Sequence, residues 1–366
     1  MELKIFNRNL EFIGIIEGFT SLRWVRRYYK SGEFELHCPL TIDTLKLLKK
    51  ENIIYKGGRE AAYIIHRQLG IDNDGNETLI VKGFFLTHYL NRRINWGRII
   101  TTNTAESVMR QLVNDNAVNP SESKRKIPFL KLGELKGLPN RIDYQNSYGN
   151  LTECLELIAK SVEYGFGLFI DFETRSMSFE VYQGIDRSVK QNDHPPCVFS
   201  RTFENIHSQT YVDSNDNYRN TCLIGGAGED DERKLTEISQ ENGLDRYELF
   251  VDARDLSDKE TVGETEQEIP WNRYKPLLIQ RGNEKLAEHK EITTFDSKVN
   301  VRGNLVYKED YDLGDIVTCH DVKWGITIDT RITEVEEVYE GNKRDINVTF
   351  GNNIPTLIDK IKAKMR

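Results

Sequence analysis

Apolar and polar positions alternate along Leu22–Tyr29 and again along Glu33–Pro39, with Lys30-Ser31-Gly32 breaking the pattern between them. A period of two on both sides of a glycine-containing turn predicts a β-hairpin, with aromatic and long basic side chains on one side. Phe34 and Leu36 are two residues apart, so they share a strand face with an inward aspect. The same pattern predicts strands at Leu3–Phe6 and Leu10–Glu17 around the turn Asn7-Arg8-Asn9. It predicts others at Asn52–Lys56, Ala62–Leu69 and Thr78–Phe85, the last two flanking the polar turn Asp72–Asn76. Thr41–Lys50 reads as one short amphipathic helix, with Thr41 as N-cap and Ile42, Leu45, Leu47 and Leu48 as its apolar positions.

After residue 97 the apolar spacing lengthens to three and four. Asn103–Glu106 has the form of a capping box ahead of Val108, Met109, Leu112 and Val113. Asn150–Glu153 repeats that form before Leu151, Cys154, Leu155, Ile158 and Val162, with Gly165 at the expected left-handed C′ position. Phe166–Asp171 and Met177–Tyr182, around the turn Glu173-Thr174-Arg175, predict a hairpin. Strand-like alternation returns over 198–228 and ends at Gly225-Gly226-Ala227-Gly228. A helix is predicted over Leu277–Ile292, strands from about Val299 to Phe350, and a basic helix over Pro355–Met365.

These elements predict a mainly β chain with an α+β insertion: two related small β-barrel domains plus a middle helix-containing domain. The expected boundaries are a first barrel over 1–97, the α+β unit over 98–197, and a second barrel over 198–228 and 293–352. An acidic inserted segment with a helix occupies 229–292, and the basic C-terminal helix 353–366. A faint internal repeat supports two barrels. Ile53–Gly83 and Ile316–Gly351 both run strand, turn, strand, turn, strand, with Ile64–Arg67 and Ile326–Asp329 at matching places.

Composition excludes several classes. At 38% hydrophobic and 10% aromatic residues, the 366-residue chain has enough apolar mass for ordinary cores. No apolar run is long enough to span a membrane, and Met1–Asn7 lacks the pattern of a secretory signal. Five widely spaced cysteines fit buried thiols in a reducing compartment. The net charge of −8 is uneven: residues 229–268 hold fifteen Asp/Glu against five Lys/Arg, so that segment is −10 and the remainder about +2. Such a run reads as a solvated surface, and no concentrated basic surface of a nucleic-acid binder balances it.

Candidate chemistry is sparse. Gly225–Gly228 lacks the Lys-Ser/Thr of a phosphate-binding loop and reads as a backbone turn. The oxygen-rich turns Asp72–Asn76 and Asp213–Asn217 carry Glu77 and Tyr218 where a calcium loop needs glycine. The seven histidines show no zinc-binding spacing, and His289 reads as a solvated helix residue. No nucleophile elbow, cysteine context or particular carboxylate pair stands out. Arg92-Arg93 reads as ion-pairing residues at a domain or subunit boundary, the alternative being a grip on a partner or nucleic acid. No catalytic, cofactor-binding or metal-binding residue is assigned, no cofactor is expected, and the chain is expected not to be an enzyme.

The opening hairpin Leu22–Pro39 resembles that of the siphophage tail-hub family, distantly akin to the hubs of contractile tails. Gly83–Arg93 looks like the end of that family's first barrel. Tyr144–Asn150, Phe179–Arg187 and Val198–Ser200 are similar to its middle domain. Gly243–Arg254 and Asp310–Val317 resemble its later blocks, so the ordered set covers nearly the whole chain. The resemblance implies a structural baseplate hub of phage, prophage or tailocin: a homotrimeric ring at the tail tip. Its implied partners are the distal tail protein ring, the tape-measure protein and a tip or receptor-binding protein, with DNA only in passage through the lumen. The implied location is the virion, after synthesis in the host bacterial cytoplasm. Many such hubs continue into a peptidase or fibre; with the sequence ending at Arg366, that role is expected to fall to another protein or to a longer form of this one. The competing classes are a tail-associated cell-wall hydrolase and a carbohydrate-binding β protein.

Overall fold

The computed structural model describes residues 1–71, 75–239, 241–341 and 343–351. The Pro355–Met365 helix and Asp72-Asn73-Asp74 of the first polar turn lie outside the described residues.

The first unit contains β1 (Leu3–Phe6), β2 (Phe12–Ile16), β3 (Ser21–Arg27), β4 (Glu33–Pro39), α1 (Ile42–Leu47), β5 (Ile53–Tyr55), β6 (Ala62–Ile71) and β7 (Glu77–Phe85). Their antiparallel order is β2-β1-β5-β6-β7-β4-β3. The expected hairpin is β3–β4, with Leu22 opposite Leu36 and Trp24 opposite Phe34. Those four residues join Ile54, Ile64, Leu79, Val81 and Phe85 in one buried cluster. The basic residues do not gather on one side as the pattern suggested. Arg26 follows Leu22 and Trp24 on the buried face, while Arg23 and Arg27 lie on the other, as strand alternation requires.

The middle unit adds β8 (Arg98–Thr104), α2 (Ala105–Val113), β9 (Leu130–Leu132), β10 (Arg141–Ser147), α3 (Leu151–Val162), β11 (Gly165–Asp171) and β12 (Ser176–Tyr182). The apolar faces of α2 and α3 pack with Leu86, Leu90, Phe166 and Phe179. Asn150 caps α3 as expected, accepting from the Thr152 and Glu153 amides. The cap of α2 is Thr104, one residue later than Asn103. Glu106 closes no capping box, because its carboxylate accepts from the Lys136 and Leu138 amides instead. The left-handed residue after α3 is Glu163 (φ 61°) and not Gly165, which opens β11. Glycine is needed at 165 for space, since a Cβ there would meet the Tyr28 ring at 2.5 Å.

The second unit is built from β13 (Val198–Phe199), β14 (Ile206–Ser214) and four strands after the insertion. The insertion holds β15 (Thr221–Gly225), β16 (Leu235–Ile238), β17 (Glu248–Asp252), β18 (Lys259–Val262), β19 (Thr265–Glu268) and α4 (Trp271–Ala287). Then come β20 (Ile292–Val299), β21 (Ile316–Asp321), β22 (Ile326–Glu340) and β23 (Lys343–Gly351). Thr221–Gly225 pairs with β16 and β17 and not with the second barrel's strands. The acidic segment is more than a solvated run: Cys222, Ile224, Val251, Leu256, Ile269, Tyr274 and Leu278 make a core of their own. The helix begins at Trp271, ahead of Leu277, and retains Pro276 inside it. Burial of Tyr274, Leu277 and Leu278 outweighs the one backbone hydrogen bond that proline removes.

β3, β4, β7, β6 and β5 neighbour one another in the first unit in the order that β14, β20, β23, β22 and β21 follow in the second. Each set occurs in the same chain order, and every pairing is antiparallel. The fourth strand of each set, β6 and β22, carries a bulge, between Ile64 and His66 and between Ile332 and Glu334. Around Ile64, the Glu51 amide donates to its carbonyl and its own amide to Asn52 O; around Ile332, Gly314 and Asp315 do the same. Glu51 and Gly314 even share a positive φ, 72° and 96°. The repeat is therefore real in topology, but its register sets Ile64 against Ile332, six residues beyond the Ile326 match expected from sequence.

The mainly β class with an α+β unit is as expected. Among the described residues no ladder closes either unit into a barrel. The two repeats instead join into a single 13-stranded sheet, because β22 pairs with β3.

Phe34 is 2% exposed and stands against Trp24 with ring centroids 6.1 Å apart. Phe34→Ala is expected to cost about 3–5 kcal/mol. Thermal unfolding checks this: an unchanged Tm would show that the ring contributes nothing to the first unit's core.

Candidate functional site: the junction between the repeats

The 15-residue strand β22 serves both repeats. Its first part, 326–331, pairs with β21; past the bulge, 334–340 pairs along the same edge with β3. Its other edge holds β23. The bulge residue Thr333 accepts the Tyr28 amide on its carbonyl, and its hydroxyl donates to Gly351 O at 2.6 Å. One strand thus changes partners where one repeat meets the other.

Charged side chains knit this junction. On the partly exposed face, Arg23 binds Glu336 and Glu33, and Arg27 binds Glu33 (2.8 Å) and Glu334 (2.7 Å). Burial disfavours the Glu33 anion, but Arg27 and Arg23 outweigh it and hold that carboxyl down at about 2. On the inner face, Arg26 donates to Glu60 (2.9 Å), Tyr307 (2.7 Å) and Asp312 (2.5 Å). Glu337, with a side chain only 1% exposed, receives Lys56 at 2.9 Å, Tyr339 at 2.5 Å and Arg344 at 2.9 Å. Burial again opposes ionisation, yet Lys56 and these donors keep the Glu337 carboxyl at about 2. Burial pulls Lys56 the other way, below its ordinary value. Lys56 precedes β6 and Glu337 lies in β22, so this pair ties the repeats together from inside.

Tyr28, fully buried, marks where both repeats meet the middle unit. Its hydroxyl accepts the Gly184 amide at 3.2 Å and lies 3.2 Å from the Glu163 carbonyl. A Cβ at Gly314 would meet its ring at 2.3 Å, and one at Gly184 would meet Gly314 O at 1.9 Å. These glycines are spacers for a close three-way approach. Beside them a cleft of about 920 Å³ is lined by Glu163, Arg219, Lys290, Asp329 and Arg331 among others. Its charges are largely paired across it: Lys290 and Arg331 both reach Glu163.

The chain's sequence matches the family model described as Siphovirus ReqiPepy6 Gp37-like protein over residues 2–352. The chain belongs to this family. No curated protein sequence matches it. Its fold is similar to that of three solved prophage or bacterial tail proteins. The 43 kDa tail protein of prophage MuSo2 from Shewanella oneidensis is 12% identical, with TM-score 0.56 over 96% of this chain and 98% of that one. Prophage tail protein gp18 from Listeria monocytogenes EGD-e is 12% identical, with TM-score 0.55 over 100% and 98%. The tail protein from Neisseria meningitidis MC58 is 13% identical, with TM-score 0.54 over 96% of each chain. At such identities the likeness establishes shared fold.

Several of the positions weighed for chemistry in this family member make structural contacts. Gly228 takes φ 97° in the glycine-rich turn, and Gly226 abuts the Tyr274 hydroxyl. Among the described residues no cluster of three His, Cys, Asp or Glu is arranged to hold a metal. His289 follows the end of α4, half-buried, with Nδ1 3.1 Å from Asn217 O, so it is not a solvated helix residue. Arg92 grips both oxygens of Glu51 and stacks over Tyr63 and Tyr89. Arg93 instead donates to the carbonyls of Arg125 and Arg92. All five cysteines are buried and free. No described helix is long and apolar enough to cross a membrane. The residues that sequence reasoning missed are Lys56 and Glu337, whose sole signal is a charge at an inward position of each strand region.

Glu33 and Glu337 have folded-state pKa values below the ordinary 4.5. Their contribution is therefore complete above about pH 4.5 and lost as pH falls toward about 2. Tm should hold steady down to about pH 5 and then drop. Glu337→Gln should cost about 3–5 kcal/mol at neutral pH, by stranding buried Lys56, and should flatten the acid slope. A wild-type Tm that does not fall on acidification would contradict the pairing.

Proposed function

We propose that the chain is the hub of a siphophage tail baseplate, a structural protein that catalyses nothing. Three copies form a ring at the tail tip, joining the tail tube and distal tail ring above to tip or receptor-binding proteins below. The tape-measure protein ends against the ring and DNA passes through its lumen. The protein resides in the virion of a phage, prophage or tailocin after synthesis in the host bacterial cytoplasm. The division into two β units, an α+β middle unit and an acidic insertion belongs to this reading.

The observation that carries it is the duplicated five-strand unit joined edge to edge within one sheet. Two alike units per chain in three copies present six similar faces around an axis, which suits a threefold protein docking on a sixfold ring. A cyclic, heterologous contact of this kind closes and does not run on into fibres. The fold shared with prophage tail proteins and membership of a siphovirus family support the same role.

The insertion lies between β14 and β20, with Glu229–Glu232, Glu237 and Glu248 exposed. Three copies would gather about −30 of charge, three times the −10 of residues 229–268. Packing that charge into a dry interface would cost far more than leaving it wet, so the insertion belongs on the outer rim.

Light scattering and an electron-microscopy map of the assembled baseplate component test this. The expected result is a threefold ring with residues 229–268 outside. A dimer or tetramer, or burial of that segment between subunits, would overturn it. Digestion of cell wall by the pure chain would favour the hydrolase reading.

A further inference from the structure

The internal repeat contains a template for a contact that the single chain leaves unmade. Within the chain, β22 beyond its bulge pairs with β3, with Glu334 opposite Arg27, Glu337 opposite Trp24 and Tyr339 opposite Leu22. The repeat equates β22 with β6 and β3 with β14. Yet among the described residues β6 beyond its bulge pairs only with β7, and β14 pairs only with β20. Among those residues nothing pairs with either corresponding edge.

The exposure of equivalent residues shows what is missing. Leu69 and Ile71 of β6 correspond to Glu337 and Tyr339 of β22. With β3 alongside, Glu337 is 0% exposed; without a neighbour, Leu69 is 54% and Ile71 70% exposed. The first repeat therefore leaves two aliphatic side chains in solvent where the second buries a carboxylate.

We propose that β14 of one copy of this chain adds to β6 of the next, reproducing the β22–β3 register between subunits. This rests on the ring reading above and deepens it. The register follows from two correspondences already fixed by pairing: Ile64 with Ile332, and Trp24 with Tyr211, which face Phe34 and Phe295 respectively. It sets His66 opposite Ser214, Arg67 opposite Asp213, Leu69 opposite Tyr211 and Gly70 opposite Thr210.

Those pairs, set by backbone topology alone, are also chemically matched. Arg67 meets a carboxylate, and its Nε has no hydrogen-bond partner among the described residues. Leu69 meets the half-exposed Tyr211 ring, an apolar–aromatic cross-strand pair. No like charges fall opposite. The open edges, which would otherwise invite indiscriminate pairing, become the specific ends of a subunit.

The test pairs cysteine cross-linking with charge reversal. In the full chain, Gly70→Cys with Thr210→Cys should give dimer and trimer bands on oxidation, because the five native thiols are buried. Neither single variant should do so. Arg67→Asp and Asp213→Arg should each shift the ring toward monomer by light scattering, at least tenfold in concentration. The double reversal should restore it. Should Arg67→Asp fail to fold, exposed Asp213 carries the measurement alone. A ring that persists in Asp213→Arg, with no interchain disulfide in the cysteine pair, would overturn this register while leaving the hub reading intact. A wild-type chain that forms no ring in the assembled baseplate component would overturn the hub reading itself.

Discussion

A carboxylate removed from water must be paired, and Glu337 is paired three times over at the strand that two repeats share. Lys56 reaches it from the first repeat, Tyr339 and Arg344 from the second. Breaking such a pair strands a buried charge, whereas keeping it locks β22 to β3 in one register. The remaining architecture depends on that register. A one-residue slip would turn Trp24 out of the core and bring Arg23 and Arg27 inward, away from Glu33, Glu334 and Glu336.

Joining two copies of one unit in a single chain solves one edge and creates two others. Strand β3 of the first unit finds β22, and the fold gains a continuous sheet without a turn between the repeats. Tyr28, wedged against Gly165 and Gly314, lets the middle unit brace that seam from the side. The acidic insertion enters at the β14–β20 connection, equivalent to the tight Lys30-Ser31-Gly32 turn of the first unit. A hairpin end lies away from the sheet's pairing edges, so the insertion adds its own core without disturbing the repeat.

Much of this was legible in the sequence and some was not, for identifiable reasons. Alternation located β3, β4, β7 and β12 because each is buried mainly on one face. Asn150 announced α3 because an N-cap is a local interaction. The repeat was visible only faintly and in the wrong register: a bulge at Thr333 leaves no mark in hydropathy, and β22 continues beyond the length of its counterpart. Gly165 looked like a helix terminator because glycine's two uses, positive φ and missing bulk, are indistinguishable in sequence. The insertion's core was hidden by its charge, since Ile224, Val251, Leu256 and Ile269 are scattered among acids. The pairing of β22 with β3, some 300 residues apart, had no local signal at all.

Native-state amide hydrogen exchange tests most directly whether β22 welds the repeats into one sheet. The amides of Val335–Tyr339 and Leu22–Arg27 should exchange together, as slowly as the buried strands on either side, through a common opening. Fast exchange of 334–340, independent of 326–331, would show two separately opening sheets and contradict the account.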